Sequence, residues 1–125
     1  MKLALFSAAT MLLTVCMGTA HAGCDSRFLR EKFMIPYDSF MAMTAVSGQP
    51  CAKTFNTNGY MTFENIRIAV RPRHGSATAS GGDFSIVYRS NPGFRGRDQF
   101  TVALSGSSRH GKRGTSNIRV EVAVD

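Results

Sequence analysis

Apolar and polar residues alternate in four stretches of the second half of the chain. Ile66, Ile68 and Val70 alternate with Asn65, Arg67, Ala69 and Arg71, and Phe84, Ile86 and Tyr88 with Ser85, Val87 and Arg89. Phe100, Val102 and Leu104 alternate with Thr101 and Ala103, and Ile118, Val120, Val122 and Val124 with Arg119, Glu121 and Ala123. A period of two predicts strands with one face buried, and β-branched and aromatic side chains suit that pleated surface. Turn residues separate the stretches: Arg71-Pro72-Arg73-His74-Gly75, Gly81-Gly82-Asp83, Asn91-Pro92-Gly93, and a Gly/Ser-rich run over 105–116. A shorter strand around Ser76–Ala79 is expected to fold back through Gly81-Gly82-Asp83 as a tight hairpin. Ser39–Val46 and Lys53–Asn56 read as two further strands. Asp25–Met34 reads as the start of a helical turn, because Arg30, Glu31 and Lys32 are good helix formers and Pro36 stops it. Short strands at this spacing predict an all-β sandwich of about seven strands, with residues 23–38 as an irregular lead-in.

The N-terminus changes the picture. Met1-Lys2 is followed by an apolar run from Leu3 to about Met17, then by Ala20-His21-Ala22. The run is shorter than the roughly 20 apolar residues that a spanning helix needs. A basic start, a short apolar stretch and small residues at the −3 and −1 positions predict a secretory signal peptide over residues 1–22, cleaved near Ala22. The product is a single domain over residues 23–125, secreted or periplasmic, with no membrane span in the mature chain. Lipid attachment at Cys24 is the weaker reading, because His21 stands where a lipoprotein signal wants an aliphatic residue. Cys16 leaves with the signal. Cys24 and Cys51 remain, with one possible pairing, and an oxidising compartment favours the disulfide.

From Pro72 to Phe100 the residues form a recognisable pattern. It reads Pro72-x-x-Gly75, a Gly/Asp turn, then Tyr88-x-x-x-Pro92-Gly93-Phe94-x-Gly96-x-Asp98-x-Phe100. This resembles the cadherin-like and bacterial immunoglobulin-like domains that occur as tandem repeats in large surface proteins. The resemblance covers Asn65 to Asp125 and implies an immunoglobulin/cadherin-like sandwich. Ser90 departs from it, standing where those repeats commonly have proline, and the clustered aspartates of calcium-binding cadherin junctions are absent. Residue by residue, Pro72 should end a strand and Gly75 should supply a backbone angle that other residues avoid. Tyr88 and Phe100 should enter the core, with the tyrosine hydroxyl partnered at its edge. Phe94 should fold over the sandwich end, Gly96 should permit a tight turn, and Asp98 should accept backbone N–H groups there.

Catalytic chemistry finds little support. His74 and His110 lie in turns, the acids are few and scattered, and no spacing links a nucleophile, a base and an orienting carboxylate. No metal spacing, nucleotide fingerprint or cofactor motif occurs. The formal net charge is +7. Seven cations in loops and strand ends are the candidate anion- or partner-binding residues: Arg71, Arg73, Arg95, Arg97, Arg109, Lys112 and Arg113. Arg67, Arg89 and Arg119 are expected to line one sandwich face. Arginine forks suit carboxylate and phosphate. The expected function is a non-catalytic, exported binding module that contacts an anionic envelope polymer or an acidic protein partner. The alternative is an adhesion-type structural domain stabilised by calcium. Nucleic acid is disfavoured, since neither an RNA/DNA motif nor an exposed aromatic platform is expected.

Overall fold

The structure, a computed structural model, describes residues 23–29 and 33–125. The expected signal segment and cleavage site, and Arg30–Lys32, lie outside these residues. Among the described residues eight strands form: β1 (Asp25–Leu29), β2 (Ser39–Ala45), β3 (Pro50–Thr54), β4 (Met61–Val70), β5 (Gly75–Ser80), β6 (Ser85–Ser90), β7 (Gly96–Ser108) and β8 (Arg113–Val124). They build two sheets, a five-stranded one in the order β1-β2-β8-β7-β4 and a three-stranded one in the order β3-β6-β5. The fold is an all-β sandwich. Its β3-β6-β5 and β8-β7-β4 blocks reproduce the B-E-D and G-F-C strand orders of the immunoglobulin constant type. The first strands differ from that type by joining the larger sheet, where β2 runs parallel to β8 from Ser39↔Ile118 to Ala45↔Val124.

The strand count is eight rather than seven, and the added strand lies where a helical turn was expected. Asp25–Leu29 forms a full antiparallel ladder with β2, from Asp25↔Thr44 to Leu29↔Phe40. Weak local helix preference over a few residues yields to such pairing, because a helical nucleus is itself unfavourable. The alternation of β4 also breaks near its end. A register irregularity between Ile68 and Val70 turns Val70 outward, leaving it 55% exposed. A bulge of this kind shifts every later side chain to the other face.

The core lies between the sheets. Met41, Met43, Val120, Val122, Phe100, Val102 and Leu104 of the larger sheet meet Cys51, Ile86 and Tyr88 of the smaller one. Each such buried side chain contributes roughly 1.5–3 kcal/mol relative to exposure. Toward one end the filling becomes aromatic: Phe28 stacks on Phe33 at 5.5 Å, and Phe33 contacts Phe55 and Phe63 at 6.2 and 6.1 Å. The Cys24–Cys51 disulfide forms, with 27 residues of sequence separation. It ties the segment leading into β1, an edge of the larger sheet, to β3, an edge of the smaller one. The bridge uses the Cys24 sulfur that a lipid anchor would require.

Candidate functional site

The sandwich has two ends, and the connections sort between them. The β2–β3, β4–β5 and β6–β7 loops share one end with the end of β8. The β3–β4, β5–β6 and β7–β8 loops share the other. The seven candidate cations therefore do not form one cluster. Arg71, Arg73, Arg95 and Arg97 gather at the first end, while Arg109, Lys112 and Arg113 gather at the second. Nor do the three strand arginines share a face. Arg67 and Arg119 stand on the larger sheet, but Arg89 belongs to β6 of the smaller one, where its Nε donates to Gly48 O at 2.7 Å.

The first end is organised by Asp98, which is buried at the start of β7. Its Oδ1 accepts the backbone amides of Arg73 at 3.1 Å and Gln99 at 2.9 Å. Its Oδ2 accepts the His74 amide at 3.2 Å and the Tyr88 hydroxyl at 2.8 Å. The family-like pattern is thus a structural lock: the carboxylate after Gly96 clamps the turn after Pro72 and the phenol of β6. Around it, the His74 ring stacks on Phe94 with centroids 4.2 Å apart, and Tyr88 stacks on Phe100 at 5.6 Å. Gly96 takes φ +131°, a region that disfavours side chains. Gly75 is required for a different reason than expected. Its φ is not positive, and a Cβ there would collide with the Arg89 carbonyl oxygen of the neighbouring strand.

Burial, and then the hydrogen bond and negative charge of Asp98, hold the Tyr88 phenol well above its ordinary range. A folded-state value raised above the unfolded one, about 10, gives stability that is fully present below that pH and lost as pH rises toward the folded value. The unfolding free energy is therefore expected to decline above about pH 10, by at most about 1.4 kcal/mol per pH unit from this group. Urea titrations of the wild type and Tyr88→Phe across this range check it. The difference between the two proteins should shrink as pH rises, and a constant difference would refute the linkage.

With the turn fixed through its amides, the side chains of Arg71, Arg73 and His74 are exposed. Together with Arg97, Gln99, Thr44, Ala42, Glu121 and Ala123 they line an open groove of about 800 Å³ on the outer face of the larger sheet. The floor is low because cross-strand neighbours Thr44 and Ala123 are small, and Arg97 stands beside Ala123 in the next strand. Among the described residues the single ion pair is Arg113–Glu64, at 2.6 Å. The groove arginines therefore carry charge without a carboxylate partner. Arg95 lies in the adjoining loop and does not line the groove. Sequence reading missed Gln99, Glu121 and Thr44. Their outward positions follow from alternation, but their adjacency depends on strand order.

The second end differs in character. The Arg109 guanidinium lies 5.5 Å from the centroid of the exposed Tyr60 ring, and the Arg109 amide donates to Tyr60 O at 2.7 Å. Exposed aromatic side chains are present after all: Tyr37, Phe40 and Tyr60. Alternation does not reveal them, because they sit in turns or on the outward side of a strand.

Among the described residues, no group of three or more His, Cys, Asp or Glu side chains is placed to hold a metal ion. No described helix is long and apolar enough to cross a membrane. The His74 interaction with Asp98 runs through its backbone amide, which gives no base–carboxylate geometry. No family model and no curated protein matches this chain.

Proposed function

We propose that this is a non-catalytic, exported binding module of the bacterial immunoglobulin-like kind, and that its Arg71–Arg73–Arg97 groove takes phosphate or carboxylate groups of an anionic envelope polymer or acidic partner. The observation that carries this reading is the convergence of three arginines without carboxylate partners around one groove, above a rigid clamp. The clamp matters because a preorganised site loses less entropy on binding. Planar guanidinium forks pair bidentately with such oxyanions, and Gln99 adds an uncharged donor and acceptor between them. The pattern from Pro72 to Phe100 and the strand order support the kinship, and the leader over residues 1–22 supports export.

Binding to lipopolysaccharide or an acidic polysaccharide is expected to weaken steeply between low and physiological salt, as exposed charges are screened beyond about 8–10 Å. Arg71→Glu with Arg97→Glu should abolish it, while Arg95→Glu should weaken it less. Isothermal titration at two salt concentrations measures both effects. Salt-insensitive binding, or binding untouched by the double reversal, would sink the reading.

A further inference from the structure

We propose that the free edge of β5 is a self-association site, where a second copy of this chain adds its own β5 antiparallel and joins the two three-stranded sheets edge to edge. The inference does not depend on the groove. Among the described residues the two sheets end in four edge strands: β1 and β4 in the larger sheet, β3 and β5 in the smaller. An edge strand presents unpaired N–H and C=O groups, and natural folds blunt such edges with charge, proline, bulges or inward-pointing cations. Three of these edges are blunted. β1 exposes Asp25 and Arg27. β4 exposes Glu64 and Arg67, and its register shifts at Phe63/Asn65 and at Ile68/Val70. β3 begins at Pro50, and its Lys53 shares the core-facing side of the strand with buried Cys51. β5 has none of these devices. Gly75 to Ser80 include no charge and no proline, and the ladder with β6 runs without a register shift from Gly75↔Ser90 to Ser80↔Ser85.

The occupant follows from what this edge lacks and what it leaves unfinished. A second β5 related by a two-fold axis at Thr78 sets Thr78 opposite Thr78, Ser76 opposite Ser80 and Ala77 opposite Ala79. Hydroxyl then meets hydroxyl and methyl meets methyl, pairings that stabilise a ladder, and no like charges face each other. A chain of formal net charge +7 repels its own copies, so an uncharged strand is where two of them can meet. Ser76, Thr78 and Ser80 are exposed on the outer side, while Ala77 and Ala79 pack on the core and stay only partly buried. In the pair, Ala77 of each copy covers Ala79 of the other, so the apolar side of the edge is closed by the residues that left it open. Such an isologous contact ends at two copies. A ladder of six residues is small beside a standard interface of about 1,600 Å², and the dimer is accordingly weak and reversible.

Sedimentation equilibrium of the disulfide-intact protein should show a monomer–dimer equilibrium that strengthens with salt, as repulsion between two basic copies is screened. Anion binding in the groove has the opposite salt dependence. Amides of Gly75–Ser80 should gain exchange protection as protein concentration rises, while those of β1 should not. Thr78→Lys and Thr78→Glu should each weaken the dimer about fivefold, because like charges then stand opposite each other on the axis. Mixing the two variants should restore it, since lysine then faces glutamate. Ala52→Lys, on the exposed side of β3, should leave it unchanged. Thr78 is exposed, so both of its variants should stay folded; if either does not, the concentration dependence of β5 exchange in the wild type decides the matter. A chain that remains monomeric up to millimolar concentration overturns the proposal. So does a dimer indifferent to substitution at Thr78, or one that the mixture of variants fails to restore. A monomer whose β5 amides become protected only on addition of an extended peptide of another sequence also overturns it, and assigns the edge to a foreign strand.

Discussion

Replacing Asp98 with alanine is expected to lower the unfolding free energy by about 4 kcal/mol, the cost of stripping a buried charged acceptor from its donors. Four donors converge on this carboxylate: the amides of Arg73, His74 and Gln99, and the Tyr88 hydroxyl. Alanine leaves them without an acceptor, and Tyr88 has no water to turn to. For a domain of about 100 residues this corresponds to a fall of about 20 °C in melting temperature. Asp98→Asn is nearly as damaging. Each carboxylate oxygen accepts two donors, so whichever way the amide is turned its NH₂ meets at least one backbone N–H head-on, and only the Tyr88 hydroxyl can turn to accept it. Tyr88→Phe removes one donor and leaves three, and should cost about 1 kcal/mol. Thermal unfolding of the three variants checks the ranking. An Asp98→Asn variant close to wild type would show that the clamp contributes little.

The clamp shows which features could be read from residues alone. Order and spacing single out Tyr88, Gly96 and Asp98; in the structure Tyr88 is buried, Gly96 has a positive φ and Asp98 accepts backbone amides. What spacing did not show is that Asp98 reaches across to Arg73 and His74, 24 to 25 residues away. Long-range partners of that kind depend on which strands pair, and alternation identifies strands without ordering them. The same gap explains the cations. Alternation put Arg67, Arg89 and Arg119 on outward faces, but only strand order reveals that β6 belongs to the other sheet. The loop arginines divide between two ends because successive loops of a sandwich alternate in direction. Local propensity misled at Asp25–Leu29, where pairing with β2 outweighs it.

The two ends of the sandwich differ in chemistry on one scaffold. The groove end is stitched by backbone and side-chain bonds: the Asn91 amide donates to His74 O at 2.8 Å, and the Gly48 amide to Ser90 Oγ at 2.9 Å. Its cations project from a fixed frame. The second end instead combines exposed rings with cations on the β7–β8 hairpin, closed by the Ser108 amide donating to Lys112 O at 2.8 Å.

Removing the disulfide is the other large expected loss. Cross-linking Cys24 to Cys51 closes a loop of 27 residues. In the chain-entropy model this constrains the unfolded state by about 3.5 kcal/mol. Cys24→Ala with Cys51→Ala is therefore expected to lower the guanidinium midpoint by about 1 M, given the usual slope for a domain this size. Alanine is the right replacement at Cys51, which is buried, because it adds no polar group to the core. A second readout separates the cross-link from general destabilisation. The bridge anchors β1, a five-residue edge strand that pairs on one side alone. Without it, amide exchange in Asp25–Leu29 should speed up under conditions where β7 and β8 remain protected, since edge elements open at lower free energy than the core. An unchanged midpoint would mean the folded sandwich holds its first strand without the bridge. Uniform loss of protection across β1, β7 and β8 would mean the edge strand and the core unfold as one unit.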